Sequence, residues 1–263
     1  MALPTVRIRI ESDDFACGEF LLRSVHGMEE IARLFDLAVE VVSTARARPP
    51  QRELLGAKAR LVFSVDDQVV RVLHGMIAEV TDLLSSPTGL PSSSGGGATP
   101  CRAFRLRFVP VAFRLTLVET QEVFVDTSLP DLLRAKLELA GLAAGEDFEL
   151  RLNGDYPVRE LAVQYRESDL AFVQRSCEHV GVAFRFEESA DRSKLVFFDD
   201  LAGVGPAGLV PSYRFDARGG LVVGRLERAH KLVPAVFAAQ DYNYRTPLAD
   251  IVAEDELPEG HAG

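Results

Sequence analysis

The sequence reads as an α+β chain dominated by strands: a β-rich first part, a small mixed α/β unit, and a return to strands. Three observations carry this. Apolar residues alternate at period two through the first hundred residues, two helical stretches with start and stop signals stand in the middle, and alternation resumes toward the C-terminus.

In the first part, Phe35, Leu37, Val39 and Val41 share one face of "ARLFDLAVEVVS", while "ARLVFSV" and "QVVRVLHG" flank the turn residues Asp66 and Asp67. The stretch "SSPTGLPSSSGGGATP", Ser85 to Pro100, is rich in Gly, Ser and Pro. It is read as a mobile loop inside the first domain, because "GMIAEVTDLL" before it and "CRAFRLRFVP" after it both look like strands of one sheet; an inter-domain linker is the alternative. In "DTSLPDLLRAKLELAGL", Ser128 stands three residues before Asp131 as a capping pair, Pro130 is tolerated in the first turn and Gly141 stops the helix. Leu129, Leu132, Leu133, Leu137 and Ala140 form its apolar face. Extended segments are then expected on either side of an Asn153-Gly154 turn.

The second helix begins at Ser168 as N-cap, with Asp169 in the first turn where a carboxylate favours the helix dipole. Leu170, Val173, Cys177 and Val180 predict a buried stripe with Phe172 alongside, and Gly181 suits the left-handed position that ends many helices. A hairpin follows, with Val182, Phe184 and Phe186 alternating in its first strand and "LVFFDD" as its second. Strands are expected again through "GLVVGRLERAHKLVPAVFAAQDYNYRTPL", and "AEDELPEGHAG" reads as an acidic, frayed end.

Composition narrows the function. The 263 residues are 47% hydrophobic, enough for packed cores, and a net charge of -10 argues against nucleic acid as the main partner. No apolar run approaches the roughly 20 residues of a membrane helix, and the start lacks a basic and then apolar leader, so the chain is expected to be made soluble in the cytoplasm. Cys17, Cys101 and Cys177 form no CxxC and read as ordinary buried thiols.

Chemistry is sparse. Glu167, Asp169 and Glu178 are the acid/base candidates, but Asp169 and Glu178 lie nine residues apart, about 180° around a helix, so capping and a solvated face explain them better. Cys177 and His179 are two apart and face different ways. His26, His74 and His230 lack ligand-spaced partners, and no phosphate loop, GxSxG or HExxH occurs. The expectation is no enzyme, no catalytic residues, no cofactor and no metal. A deep pocket holding two or more of those carboxylates would favour an enzyme instead.

The order of "FRLRFVPVAFRLTLVETQEVFVDTSLPDLLRAKLEL", "YPVRELAVQYRESDLAFVQRSCEHVGVAFRFEE", "LVFFDD" and "AAQDYNYRTP" closely resembles the N-terminal region of VgrG proteins, the spike proteins of type VI secretion, which are similar to contractile phage tail baseplate hubs. The likeness is strongest from Phe104 to Asp200; Ser176 and Cys177 depart from bulkier apolar residues usual there, and the Ser/Gly-rich segment is longer. The resemblance implies two β-barrel-like domains per chain, here 1–117 and the start of a second at 201–263, with the α/β unit 118–200 between them. It implies a homotrimer joining a hexameric tube to a trimeric puncturing spike, with a tail-tube protein, a spike or needle-tip protein, baseplate proteins and effector cargo as partners, in a contractile injection particle secreted or delivered into a target cell. A phage tail or extracellular injection-system hub is the alternative, with a wall-degrading or effector enzyme further behind. The chain stops just after the family's "DYNYRTP"-like strand, which implies either a fragment or a short hub relying on another chain for the needle.

Overall fold

A computed structural model describes residues 5–18, 20–43, 51–83 and 102–200, and then 212–213, 222–223, 227–228, 234–242 and 245–256. The chain divides into two compact units, Met1–Gly208 and Leu209–Gly263, so residues 1–117 and 118–200 lie within one unit.

Six antiparallel strands build the first sheet: β1 (Val6–Glu11), β2 (Phe20–Met28), β3 (Asp36–Ser43), β4 (Lys58–Val65), β5 (Gln68–Leu83) and β6 (Arg102–Val109). Their spatial order is β1-β4-β5-β6-β3-β2, and the two end strands also touch, so the sheet curls into a barrel-like wrap. Alternation supplies the core. Leu37, Val39 and Val41 of β3 meet Leu61, Leu73, Ile77, Phe104, Leu106 and Phe108 in one buried cluster with Phe35 and Ile10. Each such side chain contributes about 1.5–3 kcal/mol by leaving water. Asp66 and Asp67 make the two-residue turn between β4 and β5, both at positive φ (49° and 63°), and Thr5 N donates to Asp66 Oδ1 at 2.8 Å. The Ser85–Pro100 segment lies outside the described residues; β5 and β6 on either side of it pair directly, from Met76 with Val109 to Leu83 with Ala103.

The rest of this unit holds a 3-10 helix (Val111–Thr116), β7 (Glu119–Thr127), a helix α2 (Leu129–Leu139), β8 (Phe148–Arg151), β9 (Arg159–Ser168), a helix α3 (Asp169–Glu178), β10 (Ala183–Glu188) and β11 (Ser193–Phe198); a one-turn helix α1 (Gln51–Leu54) precedes β4. The α2 cap is as the sequence reads: Ser128 Oγ accepts from Asp131 N at 3.4 Å and donates to Asp131 Oδ2 at 2.5 Å, and Gly141 turns at φ 81°. Ser168 caps α3 through Ala171 N at 3.2 Å, and Gly181 takes φ 73°. β10 and β11 form the expected hairpin.

Two expectations need correction. Val180 is exposed, because α3 ends at Glu178 and Val180 has left the helical repeat; Asp169, Phe172, Val173, Ser176 and Cys177 are the buried set. Extended segments do flank Asn153-Gly154, β8 before it and β9 after it, but the two do not pair with each other. β8 runs parallel to β11 and β9 pairs with β7, while Asp199 Oδ2 pins the bend by accepting from Asn153 N (2.8 Å), Gly154 N (2.6 Å) and Tyr156 OH (2.8 Å). Ala253–Glu256 are not frayed: in the second unit β15 (Ile251–Glu256) pairs antiparallel with β14 (Val236–Asp241), while β12 (Ser212–Tyr213) and β13 (Val222–Val223) form a short parallel pair.

α2, α3 and the sheet β10-β11-β8 enclose a second core of Leu129, Leu133, Leu137, Phe148, Val173, Cys177, Phe184, Leu195 and Phe197. Phe186 packs against both cores and meets Phe35 edge-on at 5.3 Å. Backbone bonding adds to this seam where Ala32 N donates to Phe184 O at 2.8 Å and Gln174 Nε2 to Ala32 O at 2.9 Å.

Candidate functional site

The α/β part holds a buried polar network built on Gln164 and Asp169 of the 164–188 stretch together with Thr120, Glu122 and Lys136. Periodicity brings Lys136 to the inner side of α2, where its side chain is 1% exposed, and N-capping brings Asp169 to the start of α3, where it is 6% exposed. Lys136 Nζ lies 3.0 Å from Asp169 Oδ1, also bonds Glu122, and donates to Thr120 at 3.4 Å. Asp169 Oδ1 further accepts from Gln164 Nε2 at 2.9 Å and Thr120 Oγ1 at 3.1 Å. The rings of Phe124 and Phe172 stack at 5.5 Å and flank the ammonium at 5.4 and 5.9 Å. Burial pushes the Asp169 carboxyl up, but the bonds from Gln164, Lys136 and Thr120 and the Lys136 charge together hold it below the usual carboxylate range.

This network corrects the solvated-face reading of Asp169. It ties α2, α3, β7 and β9 together, and each charge answers another, as a buried ion pair requires. Sequence reasoning passed over Lys136, the one cation among the leucines of the α2 face; a lysine at a core position with a carboxylate elsewhere to receive it was the available signal.

The other candidates do not converge. Glu167 pairs with exposed Arg175, Glu178 is exposed, and Cys177 is buried with its thiol pushed up to about 12, chiefly by burial. His179 and His26 are exposed, and His230 and Cys101 lie outside the described residues. A cleft of about 530 Å³ lies between the curled sheet and the α/β part and contains His74, Glu11, Asp13, Asp14, Asp147 and Asp191. Three of its acids serve the fold: Glu11 holds Arg9 and Arg60, Asp14 accepts from Lys58 N, and Asp147 accepts from Ala143 N. Neither this cleft nor two others of about 450 Å³ among the described residues brings together two of Glu167, Asp169 and Glu178. Among the described residues, no group of three or more His, Cys, Asp or Glu side chains could hold a metal ion, and no helix is long and apolar enough to cross a membrane.

A curled antiparallel sheet joined through shared phenylalanines to a small α/β unit is the arrangement to compare with known proteins. The family model of the phage tail baseplate hub (GPD) matches residues 28–263. The chain belongs to the phage tail baseplate hub family. Among the hub chain's relatives, the type VI secretion system spike protein VgrG1c of Pseudomonas aeruginosa is 27% identical over 252 residues, 92% of this chain and 32% of that protein. VgrG4b of the same organism is 33% identical over 174 residues, 66% of this chain and 19% of its own length. The hub chain thus spans about a third or less of these two relatives. A solved structure of the E. coli c3393 protein, a type VI secretion component described as similar to the T4 bacteriophage tail proteins gp27 and gp5, shares the fold at a TM-score of 0.59, with 24% identity over 92% of this chain and 56% of that one. The hub chain is a structural hub or spike component of a contractile injection system.

Proposed function

We propose that this chain forms a homotrimeric hub that joins a hexameric tail tube to a trimeric spike, and that it is not an enzyme. One observation supports the reading: the family match, residues 28–263, takes in four of the six strands of the curled sheet together with the α/β unit, where Lys136, Asp169 and Asp199 are engaged in holding the scaffold. Three copies, each contributing two similar tube-facing domains, present six equivalent surfaces to a sixfold tube; the curled sheet before residue 118 and the strands after residue 200 are the two candidates. The tail-tube protein, a spike or needle-tip protein and baseplate proteins are then its partners, with effector cargo carried on the same assembly. The chain is made in the cytoplasm and leaves with the particle. Relatives that are type VI spike proteins favour that machine over a phage tail. Reconstruction of the assembled particle tests the reading: three copies per hub ring are expected, and two, four or six would overturn it.

A further inference from the structure

The seam between the curled sheet and the α/β part holds a second pair of titratable groups, apart from the Lys136 network. His74 on β5 and Glu188 on β10 meet there with side chains 17% and 15% exposed, His74 Nδ1 lying 3.5 Å from Glu188 Oε2. Glu188 is anchored at both oxygens: Oε1 accepts from Ser193 Oγ at 2.7 Å and Oε2 from the His74 backbone N–H at 3.3 Å. The imidazole is not anchored. Both of its nitrogens are shut off from water, and neither has a hydrogen-bond partner among the described residues. A buried polar atom in that state is costly, and a buried carboxylate beside it adds a charge that nothing answers.

One proton relieves both. On the imidazole it sets a cation against the carboxylate; on the carboxylate it makes an O–H that a bare Nδ1 can accept. With no proton the pair carries a buried negative charge, and with two it carries a buried positive one. The surroundings favour uptake. Arg60, opposite His74 on β4, is held by Glu11 at 2.7 Å, Arg192 in the β10-β11 turn by Glu146 at 3.1 Å, and Arg71 on β5 by Glu29 at 2.5 Å. Lys58 of β4 lines the same cleft as His74, facing Asp13 and Asp14 after β1, Asp147 before β8 and Asp191 in the turn. Acids outnumber bases there, so the local field opposes a negative pair. Burial acts the same way on Glu188, pushing its carboxyl up.

We infer that His74 and Glu188 form a proton-operated tie that fastens the curled sheet to the α/β part in mildly acid solution and slackens when the proton leaves. Imidazole is the side chain whose charge ordinarily changes between pH 5 and 8. The seam's other joints, Phe186 and the bonds of Ala32 with Phe184 and Gln174, contain no titrating side chain. The tie exists over the range in which the folded pair holds one proton. It is lost as the pH rises through the value at which that proton leaves, and again at lower pH where a second proton removes the opposing charge.

The Ala32 amide, which donates to Phe184 O across the seam, reports opening through its native-state hydrogen exchange. The measurement is made on the full chain and on His74→Gln, Glu188→Gln and the double variant, at about pH 5.5 and about pH 8. Intrinsic exchange rates cancel between variants at one pH, so the cycle isolates the interaction of the two side chains. A coupling of about fivefold or more in exchange rate is expected at the lower pH and almost none at the higher. Equal coupling at both pH values, or none at either, overturns the inference. His74→Asn replaces His74→Gln if that variant does not fold. Carboxyl NMR gives an independent readout: the Glu188 titration midpoint should move to higher pH in His74→Gln, because the imidazole's pull toward the charged form is gone. A midpoint that stays in place or falls also overturns it.

Discussion

At the scale of single residues, Lys136 is the least replaceable side chain in the α/β unit. Its ammonium is closed off from water and answers Asp169 and Glu122 while Phe124 and Phe172 flank it. Truncation by Lys136→Ala leaves Asp169 buried without its counter-charge, a loss of about 3–5 kcal/mol. The double variant Lys136→Met/Asp169→Asn removes both charges and is expected to recover most of that loss, measured by urea denaturation; a single variant as stable as the unaltered chain would refute the network. The pH dependence has two opposed parts. Asp169 is held below the usual range, so its contribution is present above the unfolded aspartate value of about 3.9 and fades as pH falls through the folded value. Glu188 is the reverse case: burial pushes it up, against bonds from Ser193 and His74, so the folded chain binds its proton more tightly and gains stability as pH falls through the folded value toward the unfolded glutamate value of about 4.3. Glu188→Gln should therefore raise the melting temperature at pH 7 and lose that advantage below about pH 4. An equal shift at both pH values would show that the charge is not the cause.

At the scale of elements, the caps and the hairpins between neighbouring strands were legible, and the pairings between distant elements were not. Ser128, Gly141, Ser168 and Gly181 act locally, through bonds to a residue three positions on or through the φ that glycine permits, and a linear sequence displays such signals directly. Gly181 carries a simple prediction. At φ 73° a β-branched residue is strained even though no neighbour lies within 4 Å of the added carbon, so Gly181→Val costs about 1 kcal/mol or more and Gly181→Asn less; identical melting temperatures for both variants would contradict the backbone argument. Asn153-Gly154 showed where the chain bends but not what holds the bend. The dipeptide favours a tight turn, but the decisive partner is Asp199, over forty residues away, whose carboxylate takes two backbone N–H groups and the Tyr156 hydroxyl and directs the chain away from β8. The parallel pairing of β8 with β11 is equally non-local, and so is the meeting of Lys136 with Asp169 across 33 positions. Periodicity places a residue on a face; it does not say what that face will meet.

At the scale of the whole molecule, the first unit is held by joints between its curled sheet and its α/β part. Phe186 on β10 lies in contact with both cores, and Ala32 bonds to Phe184 and Gln174. β5 and β6 pair directly from Met76 with Val109 to Leu83 with Ala103, so the sheet bonds join them independently of the segment between. Loop-closure entropy changes slowly with length, so replacing Ser85–Pro100 by a four-residue Gly-Ser turn is expected to alter stability by only about 1 kcal/mol. The first unit should still melt in one cooperative step, and limited proteolysis should yield no separate fragments ending near residues 84 and 101. Two independent melting transitions in the shortened chain, or two pieces that fold apart after cleavage there, would mean that the segment joins two domains and that β5 and β6 do not share a sheet.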